Sequence, residues 1–386
     1  MVIQNSVLAA LGTTIFETNT RLAIEHGSVN LGQGFPDDEG PQSMKNLAAT
    51  YTNQQSNQYP PMMGLPILRE AVSKHAKQFY DIDSDWKSEV LITSGATEAL
   101  AATFFGLLNP GDNVILLEPL YDAYVPLIRL VGATPKPMRL PPPNWSVDFE
   151  ALEKSIDANT RMLVLNNPMN PTGKAFTHAE LLEIARISIK HDLIVVCDEV
   201  YEHLVFDNRP HIPLVTIDGM RNRCVRISSS GKIFSFTGWK VGFILTSEHL
   251  LKTITKAHQF LVFTTPPNLQ AAVAFGLENE QQWYTSLASR LQQQRDYLST
   301  SLTELDFSVL PSEATYFLTV DITNLTDQTD QEFCANLTIN SGVTGVPVSA
   351  FYEINPPTHL LRFCFCKKMS VLSEAIERLT KWRKQL

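Results

Sequence analysis

Short apolar runs recur through the middle of the chain, and each stops at small or polar residues. They include Val90-Leu91-Ile92, Leu163-Val164-Leu165, Leu193-Ile194-Val195-Val196-Cys197, Cys224-Val225-Arg226-Ile227 and Val241-Gly242-Phe243-Ile244-Leu245. Uninterrupted apolar runs, without polar alternation, are the signature of strands buried on both faces, as in parallel sheets covered by helices. Helical stretches lie between them. Glu98–Phe105 reads as a helix after the turn Ser94-Gly95-Ala96-Thr97. Another helix opens at Thr177, with Glu180 three residues on and Phe176 and Leu181 placed as a hydrophobic staple. Strands alternating with helices predict an α/β fold with a mainly parallel sheet. A chain of 386 residues exceeds what one core usually serves. We therefore expect a large domain over 44–283, and a smaller α+β domain from 1–43 and 284–386 joined by a helix over Gln281–Leu302.

Chemistry gathers where the apolar runs end. Lys232 sits in Ser228-Ser229-Ser230-Gly231-Lys232, a small-residue turn between two apolar runs. A lysine held there loses hydration, which lowers its pKa and makes its free amine a nucleophile able to form a Schiff base. The plain alternative is a solvated loop lysine. Asp198 closes the run Leu193–Cys197, at the carboxyl end of a strand, where ligands of open α/β sheets bind. A carboxylate there suits the ring nitrogen of pyridoxal phosphate, and would keep it protonated as an electron sink. It would equally serve as a helix N-cap. Asn170 lies between Pro168 and Pro171 in a loop stiffened by both, so its amide is held ready to donate. Gly95, Ala96 and Thr97 stand at a helix start whose backbone N–H groups are free for one phosphate. Nucleotide signatures are missing: there is no Gly-x-x-x-x-Gly-Lys, and Gly32-x-Gly34 lacks the third glycine of a dinucleotide loop.

In this order along almost the whole chain, these elements resemble the class I aminotransferases of pyridoxal phosphate fold type I. Within that family the chain is most similar to the kynurenine, glutamine and methionine aminotransferases, through Gly12-Thr13-Thr14-Ile15-Phe16, Leu31-Gly32-Gln33-Gly34-Phe35-Pro36-Asp37 and Asn57-Gln58-Tyr59. The resemblance implies a seven-stranded sheet in the large domain and a homodimer. It implies that Lys232 carries the cofactor and shuttles the proton, that Asp198 faces the ring nitrogen, and that Asn170 and Tyr201 face the ring oxygen. Tyr121 would stack on the ring. Gly95, Ala96, Thr97, Ser229 and Lys240 would hold the phosphate, with Tyr59 reaching the phosphate of the neighbouring subunit. Lys240 stands where many relatives carry arginine, and keeps the charge without the bidentate fork. Gly34 and Arg362 would take the substrate carboxylate, and Phe16 would border the side-chain pocket. Taken one by one, Tyr121 and Tyr201 could instead be core aromatics, Arg362 a surface charge and Tyr59 a loop anchor.

The implied reaction is transamination between an L-amino acid and a 2-oxo acid. The stretch His258–Pro267, where aspartate-preferring relatives place a second arginine, contains none, so a neutral donor of the methionine, aromatic, glutamine or kynurenine type is expected. A cysteine-S-conjugate β-lyase using the same residues and an aspartate-type aminotransferase are the alternatives. Composition narrows the partners further. A formal net charge of −9 offers no basic surface for nucleic acid. No apolar run approaches the roughly eighteen residues a membrane span needs. The start, Met1-Val2-Ile3-Gln4-Asn5-Ser6, lacks the charged and apolar regions of a signal peptide. Five irregularly spaced cysteines fit reduced thiols in a cytoplasmic setting. No metal site is expected, since Cys364-x-Cys366 has no matching second pair.

Overall fold

The computed structural model describes residues 5–385; residues 1–4, on which most of the reading of the chain's start rests, lie outside that range, as does residue 386. The five apolar runs lie in strands of one seven-stranded sheet, completed by Asn113–Glu118 and by the polar edge strand Thr134–Arg139. Its strands are Val90–Thr93 (β1), Asn113–Glu118 (β2), Thr134–Arg139 (β3), Thr160–Asn166 (β4), Ile194–Asp198 (β5), Cys224–Ser229 (β6) and Gly242–Thr246 (β7). Their spatial order is β1-β7-β6-β5-β4-β2-β3. All neighbours run parallel except β7, which is antiparallel to both β1 and β6. The exception has a local cause. A parallel return would carry the chain back along the whole strand, but the segment 230–241 between β6 and β7 is closed at its own neck, so the chain reverses. Ser230 closes the neck of that segment, donating from its amide and its Oγ to the Val241 carbonyl. Inside lies the short helix Ser230–Ile233, which carries Lys232.

The helices start and stop as their capping chemistry dictates. Thr177 and Glu180 form a reciprocal capping box, and Phe176 and Leu181 are buried in one apolar cluster. The helix Gln281–Glu304 buries Tyr284, Leu287, Leu291, Leu298 and Leu302, a single apolar stripe. One expectation is corrected. Gly95, Ala96 and Thr97, read as a turn, already belong to the helix Gly95–Leu107, with only Ser94 at its cap position.

A second, antiparallel sheet holds Ser308–Val309 (β8), Phe317–Asp321 (β9), Val346–Pro347 (β10) and Leu360–Cys364 (β11), in the order β10-β11-β9-β8. Val29–Asn30 pairs in parallel with Val343–Thr344, tying the N-terminal segment to this part of the chain. Val346, Val348, Phe351 and Leu360 share an apolar cluster with Ile115, Leu163 and Val195, so the smaller sheet is seated against the larger. Among the described residues no helix is long and apolar enough to cross a membrane.

Beneath the ends of β5 and β6 lies a buried charged network. Arg226 Nε donates to Glu199 at 2.6 Å, and the same guanidinium also binds Glu202, which in turn accepts from Ser228. His211 Nε2 meets Glu199 at 3.2 Å. Burial works against the Glu202 carboxylate, but the adjacent Arg226 overturns that and holds the carboxyl below its ordinary range. Glu202 also belongs to a group of three metal-type ligands with His75 and His203. Its carboxylate is already committed to Arg226 and Ser228, and the two imidazoles meet each other at 2.7 Å. Removing the guanidinium would strand two carboxylates. Arg226→Met should therefore lower stability by about 3–5 kcal/mol, read as a fall in the denaturation midpoint. An unchanged midpoint would show that the network carries no such weight.

Candidate active site

The carboxyl ends of β4, β5 and β6 open on one cavity of about 260 Å³. Its walls include Lys232, Asp198, Tyr201, Tyr121, Asn170, Ser229, Lys240, Gly95, Ala96, Thr97, Phe16, Gly34 and Arg362. The fold thus brings together every site residue read from the sequence except Tyr59. That side chain is 82% exposed and packs edge-on against Phe263 at 5.4 Å, away from the cavity of its own chain.

Lys232 Nζ reaches the Gly34 carbonyl at 3.4 Å and lies 5.5 Å and 5.2 Å from the ring centres of Tyr201 and Tyr316. Burial dominates its electrostatics and pushes its pKa down, although the Cys366, Cys364 and Asp198 side chains pull the other way. A side chain on Gly34 would meet the Phe317 ring at 2.7 Å, so only glycine fits there.

Asp198 is held from one side only. Its Oδ2 accepts from the Tyr124 hydroxyl at 2.6 Å, whereas Oδ1 is buried without a partner. Burial raises its carboxyl to about 6, against the opposing pull of the Tyr124 hydroxyl, the Val200 amide and Lys232. Asn166, which the sequence reading passed over, braces this corner. Its Nδ2 donates to the Asp198 carbonyl at 2.9 Å, and its Oδ1 accepts from the Asn170 amide at 2.7 Å.

Arg362 lies on β11, 1% exposed. Nη1 donates to Asn170 Oδ1 at 2.9 Å and Nη2 to the Gly32 carbonyl at 2.8 Å, while Nε has no partner. The guanidinium carbon stands 4.0 Å from the Phe317 ring centre, 4.9 Å from Phe351 and 5.4 Å from Phe16. Burial lowers its pKa to about 10, which leaves it a cation at neutral pH. Phe317 and Phe351 carry no local sequence signal, because both meet Arg362 only through the tertiary fold. Tyr124, the first residue of the helix Tyr124–Leu130, packs edge-on against Tyr121 at 5.6 Å and was likewise passed over.

At the opposite wall the chain itself forms a cradle. Gly95 has φ +79°, and a side chain there would lie 3.2 Å from Lys240 Cε. A side chain on Gly242 would press to 2.7 Å from the Gly95 carbonyl carbon and 2.9 Å from the Ala96 nitrogen. These glycines keep the helix start open, with the first amides of the helix lacking intrahelical partners. The Thr97 and Tyr121 hydroxyls lie 3.5 Å apart beside it. These features fit pyridoxal phosphate: an amide cradle with Lys240 for an anion, an unpartnered buried carboxylate oxygen for a ring N–H, and a dehydrated lysine for an aldehyde.

Comparison with known proteins agrees with this chemistry. The family model for aminotransferase class I and II matches residues 27–379. A probable N-succinyldiaminopimelate aminotransferase of Mycobacterium tuberculosis is 41% identical over 97% of both chains. The solved structure of N-succinyldiaminopimelate aminotransferase from Mycobacterium tuberculosis superposes with a TM-score of 0.96, covering 98% of this chain and 100% of that one. The methionine aminotransferase of Escherichia coli is 39% identical over 98% of both, and human kynurenine–oxoglutarate transaminase 1 is 33% identical over 95% of both. With its fold, its cavity and these relatives in agreement, the chain belongs to the class I and II aminotransferases and is a pyridoxal phosphate-dependent enzyme.

Proposed function

We propose that this aminotransferase takes its amino group from a neutral L-amino acid with a long or aromatic side chain, and passes it to a 2-oxo acid. The observation that carries this reading is the wall around Arg362. Among the described residues lining the cavity, Arg362 is the only arginine, and Phe16 and Phe317 stand beside it. With that guanidinium engaged by the substrate α-carboxylate, a second carboxylate would be buried without a partner, which is costly. The relatives named for methionine and kynurenine support the same reading. The 41% identity to a protein named for N-succinyldiaminopimelate keeps that donor as the second reading.

Each residue then has a role. Gly95, Ala96, Thr97, Ser229 and Lys240 would hold the phosphate, Tyr121 would cover the ring, and Asn170 and Tyr201 would face its oxygen. Asp198, with its unpartnered Oδ1, would accept from the ring N–H. The bound cofactor supplies an aldehyde that exchanges with the amino group and an electron sink for the charge left at the substrate Cα. Arg362 and Gly34 bind the α-carboxylate and fix the direction of the Cα–H bond. Lys232 Nζ, whose pKa burial pushes down, would take the proton from the substrate Cα as general base and give it up again as acid. Phe16, Phe317 and Tyr201 keep water from this transfer. We further propose a homodimer in which the exposed Tyr59 enters the neighbour's site, and a division into a large unit over 44–283 and a small unit from 1–43 and 284–386, which the separate seven-stranded and four-stranded sheets support.

Three outcomes follow. With one saturating oxo acid, methionine should exceed aspartate in kcat/KM by about ten- to a hundredfold; equal values or a preference for aspartate would defeat the neutral pocket, and a preference for the N-succinyl donor over methionine would favour the second reading. Mixing inactive Lys232→Ala with Tyr59→Ala should restore activity in hybrid dimers, because one site of each hybrid keeps both native residues; no recovery in verified hybrids would contradict shared sites. The third outcome concerns pH. The free Asp198 carboxyl is protonated below about 6 and charged above it, and only the charged form pairs with a cationic ring. Cofactor affinity should therefore rise as pH climbs through about 6, and Asp198→Asn should remove that Asp198-dependent rise; a wild-type profile in the variant would take Asp198 out of the ring contact.

A further inference from the structure

We propose that His258, far from the reacting atoms in the chain and fully buried, is a positioning residue for the phosphate end of the cofactor. It acts by neutralising Glu98 at the start of the Gly95–Leu107 helix. The inference rests on the reading of that helix start as the phosphate site.

A carboxylate in the first turn of a phosphate-binding helix is an electrostatic liability. Glu98 occupies such a place, largely buried, one turn from Gly95. Its Oε2 is folded back to accept from the Ser94 amide at 3.0 Å, which fixes the backbone where the helix begins. An anion held by the amides of Gly95, Ala96 and Thr97 would feel that negative charge across a short, poorly hydrated distance. The contact with Ser94 is useful to the site and the charge is not.

His258 removes the charge without losing the contact. It sits in the last turn of the helix Glu248–Leu261, with 0% exposure. Nδ1 lies 3.0 Å from Glu98 Oε1, and Nε2 lies 3.1 Å from the Met62 carbonyl. A carbonyl only accepts, so Nε2 carries a hydrogen. A second hydrogen shared between Nδ1 and Oε1 would leave the His258–Glu98 pair without net charge. The ring also ties the helix start to the loop that holds Tyr59, since Met62 follows Tyr59 and Pro61 in that loop. The His258 carbonyl in turn accepts from the amides of Val262 and Phe263, and Phe263 packs on Tyr59. A single imidazole therefore joins the cradle to the segment that projects from the chain.

The test compares pyridoxal phosphate with pyridoxal, which lacks the phosphate, by direct binding titration. In His258→Gln the affinity for pyridoxal phosphate should fall about tenfold, while that for pyridoxal stays unchanged. Adding Glu98→Gln to that variant should restore most of the loss, because it removes the uncompensated charge and keeps an oxygen for the Ser94 amide. Glu98→Gln alone should bind pyridoxal phosphate at least as well as the native protein, which keeps the test open if His258→Gln does not fold. Equal losses for both ligands, no rescue by Glu98→Gln, or a weakened single Glu98→Gln variant would overturn the inference. Thr97→Ala and Lys240→Ala separate it from the reading on which it rests. If they narrow the preference for the phosphorylated ligand and His258→Gln does not, only the role of His258 falls; if none of the three does, the phosphate site itself is misplaced.

Discussion

Dehydration of a few ionisable groups around one cavity is the condition on which the rest of this molecule depends. Asp198 and Arg362 lie out of water and Lys232 is half-buried, and in each case burial is the largest influence on the charge. The consequences differ because their partners differ. Lys232 has one weak contact and is driven toward the neutral amine. Arg362 keeps its charge within a ring of aromatic faces and two acceptors. Asp198 is left with one satisfied oxygen and one open one. One lysine able to move a proton, one guanidinium able to hold a carboxylate and one carboxylate able to hold a cation are what amino-group transfer asks of the protein.

Such a site is costly to hold open, and the surrounding structure offsets the cost. Arg226 locks the segment after β5 to β6, so Asp198 and Tyr201 keep their place relative to Lys232. Asn166 spans β4 and β5 and holds Asn170, which in turn touches Arg362 on the other sheet. The path from Asp198 to Arg362 is thus a chain of hydrogen bonds crossing between the two sheets. Polar groups with a full set of partners rigidify a site, whereas partly satisfied ones are where a ligand belongs. The buried atoms without partners include Asp198 Oδ1 and Arg362 Nε, both at the cavity.

Much of this was legible from sequence where the signal is local. Continuous apolar runs identified five strands of a mainly parallel sheet, and the residues closing those runs, Asp198 and Ser229 among them, fell at the cavity because strand ends are where such sheets expose polar groups. Thr177 and Glu180 announced a helix start through chemistry contained within one turn. The reversal of β7 was less visible, since an apolar run looks the same in either direction and only the connection through Lys232, closed by Ser230 against Val241, decides it. Arg226 passed unremarked inside an apolar run, because its carboxylates come from another segment. Phe317 and Phe351 gave no sign of lining Arg362, and Tyr59 could be assigned only by resemblance, as its proposed contact is with another chain. Partners distant in sequence are what periodicity and spacing do not encode.

The central claim is that the cofactor binds covalently to the amine at the carboxyl edge of β6, with Lys240 nearby serving only as a charge. Borohydride reduction of the loaded protein fixes the cofactor to whichever amine holds it, and proteolysis with mass analysis then locates the modified residue. The account predicts one modified peptide, bearing the cofactor on Lys232. Recovery of the cofactor on Lys240 or on another lysine, with Lys232 unmodified, would contradict it.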